Sequence, residues 1–311
     1  MSQFWGSSDL LLNAVAAHRL RGPQQAPSPC NKTGSRAENA RVLEYIPRMS
    51  STGLVAIAEY IPKREALLVR VDMSDYLIDY YLHRKDHAPE TRPEHDEKLK
   101  ELIACFSVHL SARTAQETHA WTVHLVADQP YSLFVTGNTG VMDDTGIARG
   151  FLVGHILTEN IRHTDVNSIH AQFTHHGKTF NSMVRCDSDD IPKMVQQFYD
   201  QSEQYPLRLI LSQTSDTALG LVALPEYDAE WIASVDLEQL AASTDDERSP
   251  MRTCHFAFTC DCSPEKLIPF FQTMSKESLQ ELYGDDDELQ ITCPRCGKQF
   301  AIHRNQLSVE N

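Results

Sequence analysis

The stretch that decides the reading is Cys260-Asp261-Cys262, followed thirty residues further on by Cys293-Pro294-Arg295-Cys296-Gly297. In the second pair, two intervening residues let the backbone fold into a tight turn that presents both sulfurs to one tetrahedral ion. Gly297 suits the left-handed conformation often needed just after such a turn. Four soft thiolates favour zinc, with iron as the competitor. The first pair is different. Residues two apart in an extended strand point to one face, with little backbone turn between them. A CxC grip is therefore read as more easily disturbed than a CxxC grip. The candidate metal ligands are Cys260, Cys262, Cys293 and Cys296, holding one Zn2+ per chain in the reduced state.

Between the two pairs lies material for a small lid. Ser263-Pro264 is a helix start, and Leu267, Ile268, Phe270 and Phe271 supply apolar surface. Ser275 starts another short helix through Leu279 and Leu282, and residues 289–292 and 299–302 read as strands bracketing the turn. A unit this small has little core of its own. Metal binding would then supply much of its folding energy, roughly 10–16 kcal/mol for structural zinc in peptides.

Working outward, the sequence before the cysteines reads as α+β: an antiparallel-sheet main domain with helices, plus this small C-terminal zinc-binding unit. Residues 54–61 and 66–73 look like strands. Ser74 or Asp75 caps a helix with Tyr76, Leu77, Tyr80 and Tyr81 on one face. His83 to Glu97 is polar with two prolines and reads as a loop, its histidines solvated. Asp96 caps a second helix, where Leu99, Leu102, Ile103, Phe106 and Leu110 recur at helical spacing. Cys105 beside that stripe reads as a small core residue. Trp121–Val126 and Tyr131–Val135 form a hairpin, and further strands follow at 146–153, 169–174 and 179–185. Ser188 or Asp189 caps a helix carrying Met194, Val195, Phe198 and Tyr199, and a last hairpin joins 207–211 to 218–224. Segment by segment, 1–65 is an N-terminal extension, partly disordered or diverged. Residues 66–225 are the main domain, expected to fold without metal; 226–258 are a linker, with Asp228 to Ala242 read as helical; 259–311 are the zinc unit.

Composition excludes several classes. Against 43 Asp and Glu there are 28 Lys and Arg, a net charge of -15 over 311 residues, which repels phosphate backbones and argues against nucleic acid. No apolar run approaches the roughly 20 residues needed to cross a bilayer, and the start lacks a basic n-region. A cytoplasmic protein with no membrane partner is expected. Eight cysteines are too few for a disulfide scaffold in a chain this long, and Cys30, Cys105, Cys186 and Cys254 are scattered. Cys254 reads as a bystander to a complete four-thiolate shell. No phosphate-binding glycine loop or nucleophile elbow appears, so the chain is not read as an enzyme.

The whole pattern resembles the heat-shock protein 33 family of redox-regulated holdase chaperones. Its CxC, spacer of about thirty residues and CxxC are matched here. Gly146-Ile-Ala-Arg149-Gly150, Ser202-Glu-Gln204-Tyr-Pro206-Leu-Arg208 and Ala218-Leu-Gly220-Leu-Val-Ala-Leu-Pro225 also look like family segments, in the same order. The likeness spans roughly residues 66 to 303; the stretch before it matches poorly, and the linker is shorter than usual. The resemblance implies a reduced, zinc-bound, inactive form. Oxidation would form Cys260–Cys262 and Cys293–Cys296 disulfides, expel zinc and unfold the unit to expose client-binding surface, without ATP. It implies unfolding client proteins as partners and allows a homodimer of the oxidised chain. The competing reading is a zinc-stabilised protein-binding module whose structural zinc is static.

Overall fold

The structure, a computed structural model, describes residues 53–87, 91–113, 117–159, 161, 164–243 and 248–307. The tail and linker expected within residues 1–52 lie outside these, as does Cys30.

Alternation builds the strands. β1 (Leu54–Ile61) buries every second residue over its first half, and β2 (Ala66–Asp72) returns beside it. Two helices follow, α1 (Ser74–His87) and α2 (Pro93–Ser111). α2 is buried along almost its whole length, because Leu99, Leu102, Ile103, Phe106 and Leu110 recur at helical spacing and small residues fill between them. Five strands come next: β3 (Thr118–Leu125), β4 (Tyr131–Asn138) and β5 (Ile147–Leu157) in a meander, then the hairpin of β6 (Asn167–His175) and β7 (Lys178–Cys186), which returns to pair with β3. α3 (Ile191–Phe198) runs into a π-helical turn, Tyr199–Glu203, closed by Gln204 at φ 62°. β8 (Leu207–Leu211) and β9 (Thr217–Ala223) pair as a hairpin.

The remaining elements are α4 (Ala229–Ser234), α5 (Leu237–Ala242), β10 (Ser249–Ala257), α6 (Pro264–Phe271), α7 (Lys276–Tyr283), β11 (Glu288–Thr292), β12 (Gln299–His303) and α8 (Arg304–Leu307). Ten strands form one sheet in the order β7-β6-β3-β4-β5-β10-β1-β2-β9-β8, and β11 pairs with β12 in a separate two-stranded sheet. Among the described residues every strand pairing is antiparallel except β10 with β5. The architecture is α+β, dominated by antiparallel sheet.

Two segment bounds drawn on the sequence do not coincide with the sheet. β1 falls inside 1–65, yet it pairs with β2 on one side and β10 on the other. Residues 226–258, read as linker, are ordered wherever they are described. Asp228 and Asp236 cap α4 and α5, each accepting a backbone N–H in the first turn. Ile232 and Leu237 then pack with Ile61, Leu68, Leu219 and Leu221 on one face of the sheet. β10 is an interior strand, inserted between β5 and β1. Cys254 is fully buried there, opposite Ala56 and Ala148.

The polar stretch from His83 to Glu97 is also different from expectation. α1 continues through His87, and α2 starts at Pro93 rather than at an Asp96 cap. Asp96 is buried instead. It accepts hydrogen bonds from the Tyr80 and Tyr81 hydroxyls and pairs with Arg84, tying α1 to α2. Similarly Asp190, not Ser188 or Asp189, caps α3 by accepting from the Lys193 N–H at 3.1 Å.

Candidate metal centre

β10 leaves the sheet at Ala257 and delivers Cys260 and Cys262 to the start of α6. β11 delivers Cys293, and the turn into β12 carries Cys296. The turn closes through the Gly297 N–H donating to the Cys293 carbonyl at 2.9 Å, and the Cys293 N–H donating to Lys298 O at 2.7 Å. Gly297 has φ +76°, the left-handed conformation the spacing requires. A Cβ there would come within 2.5 Å of the His155 ring, so both conformation and space select glycine.

The four sulfurs lie within 4.8 Å of one another, and among the described residues no other group of His, Cys, Asp or Glu side chains converges in this way. Cys260 Sγ is 3.9 Å from Cys293 Sγ, and Cys262 Sγ is 3.6 Å from Cys296 Sγ. A tetrahedral four-thiolate zinc site, with bonds of about 2.3 Å, separates its sulfurs by about 3.8 Å. The donor set and its spacing therefore fit zinc. The same distances lie far beyond a disulfide bond, about 2.05 Å, and the cysteines are free thiols. Within the cluster, hydrogen bonds from Cys262, Cys293 and Cys296 hold the Cys260 thiol well below the usual range. Sharing of that hydrogen-bonded charge pushes the Cys262 and Cys296 thiols up.

Asp261 faces away from the cluster and braces its rim. It accepts from Lys266 Nζ at 2.6 Å and from Arg295 Nη1 at 3.0 Å, and these bonds hold its carboxyl below the usual carboxylate range. Arg295 thus ties the two cysteine pairs together, and it also lies over the Phe151 ring of β5 at 5.1 Å.

The sulfurs are part of the unit's core. Cys293 and Cys296 are buried among Leu267, Phe271, Tyr283, Ile291 and Ile302, with Cys260 and Cys262 packed against them. Of the lid residues expected from sequence, Leu267 and Phe271 are buried and Ile268 is half-buried; the side chain of Phe270 lies outside the described residues. Val153 of β5 joins the same cluster, so the unit sits on the body.

Three contacts at this seam escape a reading of the sequence. His83 Nε2 donates to the Cys296 carbonyl at 2.8 Å. Phe258 packs edge-on against Tyr76 and Tyr80 and tilted against His83, and it touches both apolar clusters. His155 lies under Gly297, where burial pushes its pKa down to about 4. His83 lies in a stretch whose polarity suggested a loop, and Phe258 in one that seemed to be linker, so no local signal marked either.

The molecule is an α+β protein with a four-cysteine module docked on an interior-stranded sheet, an arrangement whose relatives are chaperones. A family model described as Hsp33 protein matches residues 83–303. The chain belongs to the Hsp33 family. It is 24% identical over 233 residues to a 33 kDa chaperonin of Shewanella sediminis, covering 66% of this chain and 78% of the relative. It is 24% identical over 238 residues to that of Salmonella typhi, covering 67% and 80%. The crystal structure of the 33 kDa chaperonin (heat shock protein 33 homolog) from Thermotoga maritima superposes with a TM-score of 0.59 at 12% identity, covering 83% of this chain and 97% of that one. Among the described residues no helix is long and apolar enough to cross a membrane.

Proposed function

We propose that this chaperone is an ATP-independent holdase switched on by oxidation of its four clustered cysteines. The observation that supports this reading is that the candidate ligands are also core residues. Zinc bound by Cys260, Cys262, Cys293 and Cys296 would keep the thiols ionised and pin the C-terminal unit. Oxidation joins Cys260 to Cys262 and Cys293 to Cys296. Each pair of thiolates gives up two electrons to an oxidant such as hypochlorous acid, which leaves as chloride and hydroxide as the S–S bond forms. The thiolates, and with them the metal site, are then gone. Cys293 and Cys296 can no longer hold the core around Ile291 and Ile302, so the unit of residues 259–311 opens. Leu267, Phe271 and Val153, now buried, and the half-buried Phe258 become surface for unfolding client proteins.

The pairing of sequence neighbours rests on the family likeness and on proximity. Once one thiolate becomes a sulfenic acid, its partner two or three residues away is a ready resolving thiol. Light scattering of a heat- or denaturant-unfolded client tests the proposal, with reduced and hypochlorite-treated protein compared and a zinc-sensitive dye read on the same samples. Zinc release together with suppressed aggregation is expected. Zinc release without client protection at any temperature would instead mark the unit as a fixed, zinc-stabilised binding surface.

A further inference from the structure

The candidate ligands differ in how they meet solvent. Cys260 and Cys262 are half-buried, whereas Cys293 and Cys296 are 0% and 4% exposed. All four pack in the core of the C-terminal unit, but Cys296 also faces the body. It lines a narrow gap whose other walls include Tyr80, His83, Leu99, His155 and Phe258.

The body meets the turn that carries Cys296 from two elements. On β5, Phe151, Val153 and His155 alternate onto one face. Phe151 lies under Arg295, Val153 joins the core of the unit and His155 lies under Gly297. On α1, His83 donates from Nε2 to the Cys296 carbonyl at 2.8 Å. Its ring is flanked for that bond by Phe258 at 5.0 Å and His87 at 4.6 Å. His83, Arg84 and His87 are half-buried in the second half of α1, where Tyr81, Leu82, Lys85 and Asp86 are exposed. Arg84 is committed to Asp96 within the body, whereas His83 is turned to the unit.

The geometry points to His83 as a positioning residue of the oxidation switch. Its bond to the Cys296 carbonyl keeps the turn against β5 and shields the Cys296 sulfur, and so sets how readily oxidant reaches the buried pair. This rests on the redox reading given above and adds to it a residue of the body that governs the rate. Oxidation of a thiolate follows its exposure, because the oxidant must touch the sulfur. When the turn swings away from β5, one thiolate of the Cys293–Cys296 pair gives two electrons to hydrogen peroxide. The O–O bond breaks, one hydroxide leaves and a sulfenic acid forms. The neighbouring thiolate then displaces a second hydroxide as the S–S bond closes. His83 is not one of the converging ligands, so replacing it changes access without removing a donor.

The test uses reduced, zinc-loaded, full-length protein as wild type, His83→Ala and His83→Gln, the last keeping an N–H donor at similar reach. Zinc release in excess hydrogen peroxide is followed with a zinc-sensitive dye, and zinc affinity is measured separately by competition with a chelator. Release from His83→Ala should be faster by about threefold or more. His83→Gln should stay within about twofold of wild type, and so should the affinity of all three, since the ligand shell is intact. Thiol labelling and mass spectrometry at early times should place the extra oxidation of His83→Ala on Cys293 and Cys296. Equal release rates for wild type and His83→Ala would overturn the proposal. So would a His83→Gln as fast as His83→Ala, or an affinity that falls in step with the rate, since either would mark His83 as packing alone. A wild type that keeps its zinc in peroxide would overturn both this inference and the redox reading. Release that follows the expected rates without client protection would support the shield and sink the holdase reading.

Discussion

In the sheet body, α2 lies buried between strands, and its apolar contacts run from Leu99 to Leu110 against both halves of the sheet. In the C-terminal unit, a two-stranded sheet and two short helices enclose a core in which two of the buried residues are candidate metal-ligating cysteines. The first region is held by area removed from water, spread over many residues. The second gathers four sulfurs at one point in its core, where a bound zinc would concentrate its stability. Distributed burial fails gradually under mutation, whereas a single centre can be cancelled by chemistry at one place. Under the proposed function, that contrast would suit the smaller region to be the switch and the larger one its support.

The largest expected effect comes from cutting the support. Truncation after Pro225 removes β10, the strand that joins β5 to β1. Two unpaired interior edges would remain, and we expect loss of the cooperative melting transition. Truncation after Ala257 keeps β10 and should preserve that transition. Calorimetry of the two fragments decides; cooperative melting of the shorter one would mean that the body does not depend on its central strand.

Next is the centre itself. Cys293→Ser opens a buried position in the tetrahedral shell and should remove most of the roughly 10–16 kcal/mol that structural zinc contributes. Hydrogen exchange should then be fast across residues 264–303 and unchanged in β3 and β4. If protection persists in the unit, its apolar residues alone suffice and the comparison collapses.

Gly297→Ala is milder. A left-handed residue with a Cβ costs about 1–2 kcal/mol, and the His155 ring must also move. Zinc affinity should drop about tenfold or more, measured by competition with a chelating dye, while the melting of the body stays as it was.

The smallest effect is on pH dependence of the body. Burial, reinforced by Arg113 and His119, holds the His109 pKa well below its ordinary value. An unfolded histidine titrates near pH 6.5. Below that pH the unfolded chain therefore binds a proton that the folded chain refuses. The stabilising contribution is complete above about pH 6.5 and is lost as pH falls toward the depressed folded pKa. Thermal melting of the fragment ending at Ala257 should thus occur at lower temperature at pH 5.5 than at pH 7.5. An unchanged midpoint would show that His109 is protonated in the fold.

The centre was far more legible in the sequence than its setting. Spacing alone marks Cys260, Cys262, Cys293 and Cys296, and Gly297 announces its own backbone angle, because these are local constraints on a few residues. The apolar stripe of α2 and most strands are legible for the same reason. Failures occur where tertiary contact overrides local character. α1 leaves Ile78 and Leu82 more than half exposed, at 59% and 58%, so its polar second half shows no helical face. β10 opens with Ser249-Pro250-Met251-Arg252, and only Cys254 and Phe256 carry the alternation of a buried strand. Its two partners, β1 and β5, are too distant in sequence to leave a signal beside it.

β10 also sets an order of events during folding. The β3–β4–β5 run closes through neighbours in sequence, and so do the hairpins β6–β7 and β8–β9. Leu54, however, pairs with Phe256, far along the chain. Such long-range closure is slow, since loop entropy is lost before any contact compensates it. As the chain emerges from synthesis, β1 and β5 must wait with bare edges until residue 257 is free. The strand that ends their wait leads within three residues to Cys260, so the nascent protein completes its sheet and begins to gather its four clustered cysteines in nearly the same moment.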